Sequence, residues 1–207
     1  CRFKDTKKET LMETACPLLW NHFCVKVGSK VVPCCRVDVR GDIGNWSGDD
    51  IKNGIYSKDH ILTRQHMRDN KRPKVCEVCY RQEDVGIESS RQKYLKRYNE
   101  VNYDLEPNTI LTADIKFNNT CNLACRMCGP YASSTWQKIV KENENDIVDF
   151  FKPQLEQTII EVEKLFQGLD LSKVNRIKLL GGEPFITPQT SDFFEYLANN
   201  NLLDKID

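Results

Sequence analysis

The chain carries no surplus of either charge. Its 30 Lys and Arg balance 30 Asp and Glu, for a formal net charge of zero. No global field therefore draws it to nucleic acid or to an anionic membrane. It has no apolar run near the roughly 18 residues of a membrane span, and its mean hydropathy is −0.55. No basic flank followed by an apolar stretch marks a secretory signal at the start. Histidine is scarce, at 3 residues. His22, His60 and His66 share no ligand spacing and read as surface or satisfied polar positions.

Cysteine is what the sequence has. Ten occur in 207 residues, below the roughly 8–10% of a small secreted disulfide scaffold. They are bunched, with gaps of two and three residues. Without a signal peptide, such bunching reads as metal ligation in a reducing cytoplasm. Hydrophobic residues at 40% and charged residues at 29% are enough for a folded core.

The two halves differ. Residues 1–105 are Cys-rich, turn-rich and irregular. A β-like stretch spans 23–33, with Gly28-Ser29 as a hairpin turn, and short helices are predicted around 58–70, 76–82 and 89–100. Glu106-Pro107-Asn108 marks the boundary. Residues 106–207 read β-α-(α)-β-α. Leu111, Ala113, Ile115 and Phe117 alternate as a strand. Ser133 or Ser134 caps a helix to about Asn143. Leu155, Ile159, Val162, Phe166 and Leu169 recur at helical spacing. A strand from Val174 to Leu180 follows, and Thr187-Pro188 opens a helix to about Asn199. Strands alternating with helices predict an α/β fold with a parallel sheet or barrel.

The strongest motif is Cys121-Asn-Leu-Ala-Cys125-Arg-Met-Cys128. It follows a strand, at the end where open α/β folds place their chemistry. Three thiolates on one loop converge on one metal centre. A cubane iron–sulfur cluster normally takes four Cys ligands, so three would leave one iron open to a small molecule. A structural zinc knuckle, or a cluster completed by a distant Cys, fits the same spacing. One βα unit later, Leu180-Gly181-Gly182-Glu183-Pro184 ends a strand. Its glycines permit close backbone approach, and its carboxylate can accept from an ammonium.

With both motifs in this order, residues of about 110–207 resemble the radical SAM superfamily. The resemblance implies the first part of a partial (βα)6 barrel. It implies a [4Fe–4S] cluster held by Cys121, Cys125 and Cys128, with S-adenosylmethionine on the fourth iron. Gly181, Gly182 and Glu183 would hold the methionyl amino group, and Pro184 would shape the turn. Reductive cleavage of the cofactor would give a 5′-deoxyadenosyl radical that abstracts hydrogen from a substrate. Met127 stands where most relatives have an aromatic residue near the adenine; it can fill that role or be core. A flavodoxin- or ferredoxin-type reductant is implied as well. The stretch after Cys128 suffices for only two or three βα units, a βαβ unit taking about 30 residues or more. The chain is therefore expected to be a fragment carrying the cluster loop and the start of the barrel.

In the first half, Cys16, Cys34, Cys76 and Cys79 can complete a fully Cys-ligated site, with Cys35 as the alternative to Cys34. Cys24 reads as a strand residue, and Cys1 is too terminal to assign. A hairpin ending in Pro33-Cys34-Cys35, then Cys76-Glu-Val-Cys79, resembles the SPASM and twitch auxiliary modules of radical SAM enzymes over about 13–92. The resemblance implies a small irregular α+β domain with a second [4Fe–4S] cluster; structural zinc satisfies the same four thiols. Such modules more often follow the core than precede it. Enzymes that carry them often modify peptides or proteins, so a peptide or protein substrate ranks first.

Between Arg64 and Arg97 lie ten Lys or Arg against five Asp or Glu, with Tyr94 and Tyr98 on one helical face. A solvated amphipathic helix is the preferred reading over an RNA or acidic-peptide contact. Trp20, Trp46 and Trp136 read as packing residues. Two rivals remain: a non-catalytic zinc-binding interaction module with four cysteine ligands, and an electron-transfer iron–sulfur protein without cofactor.

Overall fold

A computed structural model describes residues 13–27, 30–37, 51–98, 110–143 and 161–206. The fold is mixed α/β around one open four-stranded sheet in the order β2–β1–β3–β4. Here β1 is His22–Lys26, β2 Lys30–Val32, β3 Thr112–Lys116 and β4 Arg176–Leu180. β1 and β2 form the expected antiparallel pair, with Cys24 opposite Val32; the Gly28-Ser29 turn lies outside the described residues. β1 is parallel to β3, and β3 to β4, with His22 opposite Thr112 and Asp114 opposite Lys178. A strand from before the expected 105/106 boundary is thus hydrogen-bonded to one from after it.

Alternation along the strands gives the sheet two unlike faces. Phe23, Val25, Val31, Ala113 and Ile115 form the buried face, with Ile177 and Leu179 packed beside them. Three helices cover it: α2 (Ile51–Ile55), α7 (Val162–Phe166) and α8 (Pro188–Asn199). Phe166 anchors this core, its ring 5.0 Å from Phe193 and 5.4 Å from Tyr196. Each such side chain contributes about 1.5–3 kcal/mol on burial. The opposite face carries Cys24, Lys26, Asp114, Lys116, Arg176 and Lys178. The segment after β2 folds over part of it, where Val37 packs on Cys24 and Val32 and accepts from the Lys26 ammonium.

The remaining helices are α1 (Leu18–Asn21), α3 (Lys58–Arg68), α4 (Glu77–Asp84), α5 (Ser90–Arg97) and α6 (Ser134–Glu142). α3, α4, α5 and α6 fall where helices are predicted, with ends trimmed by caps, whereas α1 is a short helix that the sequence does not announce. Ser89 and Gln92 close a capping box on α5, and Ser133 accepts from the Trp136 N–H on α6. Of the helix expected around 155–169, Val162–Phe166 is described; Leu155, Ile159, Trp46 and Cys1 lie outside the described residues.

Of the two readings of the histidines, surface or satisfied polar positions, His22 and His60 take the second. His22 is buried with Nδ1 2.8 Å from Thr112 Oγ1, and burial pulls its pKa down to about 4. His60 is buried 3.2 Å from Ser57 Oγ, and burial, then the Arg64 charge, pull it to about 3. Both stay neutral and brace strand and helix starts. Among the described residues no helix is long and apolar enough to cross a membrane.

Candidate metal centre

β3 delivers the chain into the Cys121–Cys128 loop, which has no regular secondary structure to satisfy its backbone. The first turn of α6 does so instead. Ser134 Oγ accepts from Cys121 N at 3.0 Å and lies 3.1 Å from the Cys121 carbonyl, to which Thr135 Oγ1 donates at 2.7 Å. Ser133 Oγ donates to Leu123 O at 2.7 Å, and Trp136 Nε1 donates to Cys125 O at 3.0 Å. Trp136 is therefore a strut of the loop rather than a packing residue. At the loop's far side, Asn119 Nδ2 donates to Pro130 O and Lys116 Nζ to Tyr131 O, both at 2.8 Å. Burial, then Lys26, bring the Lys116 pKa down to about 8. The Ser133-Ser134-Thr135-Trp136 run shows in the sequence as a cap; its service to a loop ten residues upstream does not.

The Gly181-Gly182-Glu183 turn leaves β4 against this loop. Glu183 N donates to Thr120 O at 2.8 Å. A Cβ on Gly182 would stand 2.5 Å from Cys121 Cβ, so only glycine fits. Glu183 Oε1 accepts from Phe185 N at 3.3 Å, and Thr190 Oγ1 donates to the Pro184 carbonyl at 2.6 Å. The two motifs, some 60 residues apart, are thus one contiguous surface at the C-terminal end of β3 and β4. Cys121 and Cys128 are partly buried and Cys125 is exposed. Cys121 Sγ accepts from Leu123 N at 3.4 Å. Met127 is 91% exposed, so it is not core.

The N-terminal thiols gather at the other end of the sheet. Cys16 precedes α1 and β1, and Cys34 follows β2, which runs antiparallel; both sit where β1 begins. Cys76 and Cys79 come from the start of α4. Cys16 feels the charges of Cys34 and Cys79, and Cys76 those of Cys16, Cys34 and Cys79. Burial, aided by these neighbours, pushes Cys16 and Cys34 up to about 12 and Cys76 well above its ordinary value. Each must lose a proton to bind metal. Cys35 is exposed and lies beside Asp114, while Cys24 is buried in β1. The buried Arg91 guanidinium draws on Cys16 and Cys76 and holds the Glu13 and Ala15 carbonyls at 2.9 and 2.8 Å.

Among the described residues no three His, Cys, Asp or Glu side chains stand drawn together as a bound metal would hold them. At one end stand four thiols, Cys79 buried and Cys16, Cys34 and Cys76 half-buried, near enough to feel one another's charge; at the other, three thiols lie on a braced, solvent-open loop. A five-residue strand, about 17 Å at 3.3 Å per residue, separates them. No known family model, curated protein or solved structure matches the chain.

Proposed function

We propose that this chain is the cluster-binding part of a radical SAM enzyme that modifies a peptide or protein, with residues 106–207, which carry β3 and β4, as the first part of a partial (βα)6 barrel. Residues 1–105 would supply a SPASM/twitch-like auxiliary module in which Cys16, Cys34, Cys76 and Cys79 hold a second [4Fe–4S] cluster. The observation that carries the reading is the contact of the Gly-Gly-Glu turn with the cysteine loop, Glu183 N to Thr120 O at 2.8 Å. A zinc knuckle or an electron-transfer module has no need of that turn.

In this reading Cys121, Cys125 and Cys128 ligate a [4Fe–4S] cluster, and Gly181, Gly182, Glu183 and Pro184 hold S-adenosylmethionine beside it. Cluster and cofactor would supply one-electron cleavage of a carbon–sulfur bond and hydrogen abstraction from substrate. The chain's own residues orient and shield. Ser134, Thr135 and Trp136 fix the loop backbone, Gly182 lets β4 approach Cys121, and exposed Met127 offers apolar cover. Electrons would come from a flavodoxin- or ferredoxin-type donor in a reducing cytoplasm.

Iron, zinc and acid-labile sulfide per chain test this after anaerobic reconstitution. Two cubane clusters give about eight irons with matching sulfide. Cys125→Ala and Cys76→Ala should each remove about half. S-adenosylmethionine should change the electron paramagnetic resonance signal in Cys76→Ala but not in Cys125→Ala. Zinc without sulfide would instead establish the zinc-binding module, and clusters indifferent to S-adenosylmethionine the electron-transfer protein.

A further inference from the structure

The polar sheet face meets the C-terminal end of α5 in an open cleft of about 590 Å³, lined by Arg97, Arg176, Ile177 and Lys178. Arg176 and Lys178 are exposed and share one face of β4. None of the three cations has an ion pair among the described residues. The acid on this face is half-buried Asp114, opposite Lys178 in the neighbouring strand, and it feels the charges of both Lys178 and Arg176, so one carboxylate faces three cations. Beside the cations stand Tyr94 and Tyr98, stacked at 6.0 Å, with the Arg97 guanidinium 5.9 Å above the Tyr98 ring. Three cations against one carboxylate leave an excess of like charge around the cleft, and a further shared counter-ion would relieve that repulsion. Two guanidinium forks match the paired oxygens of phosphate or carboxylate.

We infer that this cleft binds a clustered oxyanion, a phosphoryl group or paired carboxylates, on the ligand that lies along the polar sheet face. Arg176 is five residues before Gly181, about 17 Å along an extended strand. A ligand anchored here would reach the cysteine loop only with its anionic group remote from the reacting atoms. Such a handle contributes binding energy without touching the chemistry. Only this last assignment, of the anion as the far end of a substrate, rests on the proposed function; the anion site stands on its own geometry and needs no cluster.

Calorimetric titration of the full chain tests it, with inorganic pyrophosphate and citrate as probes at ionic strength matched with sodium chloride. Saturable one-to-one binding is expected, weakened at least tenfold in Arg176→Ala/Lys178→Ala and several-fold in Arg97→Ala. Lys138→Ala, on an exposed position of α6, should bind as the parent. Pyrophosphate alone would identify a phosphoryl site, citrate alone a carboxylate site, and both a general oxyanion site. Titration with neither, or equal binding by the parent and all cleft variants, overturns the inference. The variants are at solvent-facing positions, and matching melting curves would show that any loss is local. Because metal-free chain serves, failure here is separable from failure of the cluster reading, which the iron count decides.

Discussion

Gly182→Ala is expected to unseat the cysteine loop. Its Cβ would lie 2.4 Å from Thr120 O, 2.5 Å from Cys121 Cβ and 2.6 Å from Asn119 O. None of these is the far end of a flexible side chain, so either β4 or the loop must shift. The Glu183–Thr120 hydrogen bond spans the same gap and shifts with them. Overpacking of this kind costs about 1–3 kcal/mol, and each kcal/mol lowers Tm by roughly 2–4 °C in a chain of this size. Metal content at the Cys121 loop should fall to near zero, while the four-thiol site stays loaded. Gly181→Ala meets only Asn118 O at 3.2 Å and should stay close to the parent in both respects. Gly54→Ala gives the complementary control. Its Cβ would meet Val31 Cβ at 2.4 Å in the core, so it should melt early yet keep its loop metal. Parent-like loading in Gly182→Ala would separate the two motifs and remove the observation on which the functional reading stands.

The regular elements were legible because period and punctuation are local. Alternation at Ala113, Ile115 and Phe117 names both the strand and its buried face, and Thr187-Pro188 marks the start of α8 to the residue. What sequence could not give was the pairing of distant pieces. The boundary at 105/106 rests on a change of composition, and composition is blind to the hydrogen bonds between β1 and β3. The loop motifs could be read, but not their braces. Trp136 looks like any core tryptophan until its indole N–H is found on Cys125 O. The same holds for His22 and His60: scarcity and lack of spacing say that they are not ligands, but not that they are buried. Arg91 was one of ten basic residues on a stretch read as a solvated face. Its burial depends on Glu83, eight residues earlier, and on carbonyls of Glu13 and Ala15 far upstream, and no local pattern encodes that.

Arg91→Met should be the most damaging single change outside the core. Arg91 and Glu83 form an ion pair with side chains only 8% and 9% exposed. Arg91 Nε donates to Glu83 Oε1 at 3.0 Å, while Nη1 holds two carbonyls just before Cys16. Tyr80, its ring 5.2 Å from the guanidinium, fixes the Thr14 carbonyl between them at 2.9 Å. Removing the cation strands a buried carboxylate, which costs about 3–5 kcal/mol out of a typical 5–15. Arg91→Met/Glu83→Gln removes the stranded charge, so it should be more stable than Arg91→Met although it carries one more substitution. Neither restores the carbonyl contacts, so both should lose metal at the four-thiol site. The pH dependence supplies the sign. Burial raises the Glu83 pKa, but hydrogen bonds from Arg91 and Ser89, then the Arg91 and Arg72 charges, outweigh it and hold it below 4.5. In the parent its stabilisation is therefore present above the unfolded value and lost as pH falls through the lower folded one. In Arg91→Met, burial acts without its counterweight and the carboxyl moves upward, so folding favours the protonated acid. The deficit of Arg91→Met against the parent should be widest at neutral pH and narrow toward about pH 3. Denaturant unfolding across that range measures it. A constant deficit, or a double variant no more stable than Arg91→Met, would mean that Arg91 acts through its carbonyl contacts alone and that the buried pair contributes nothing of its own.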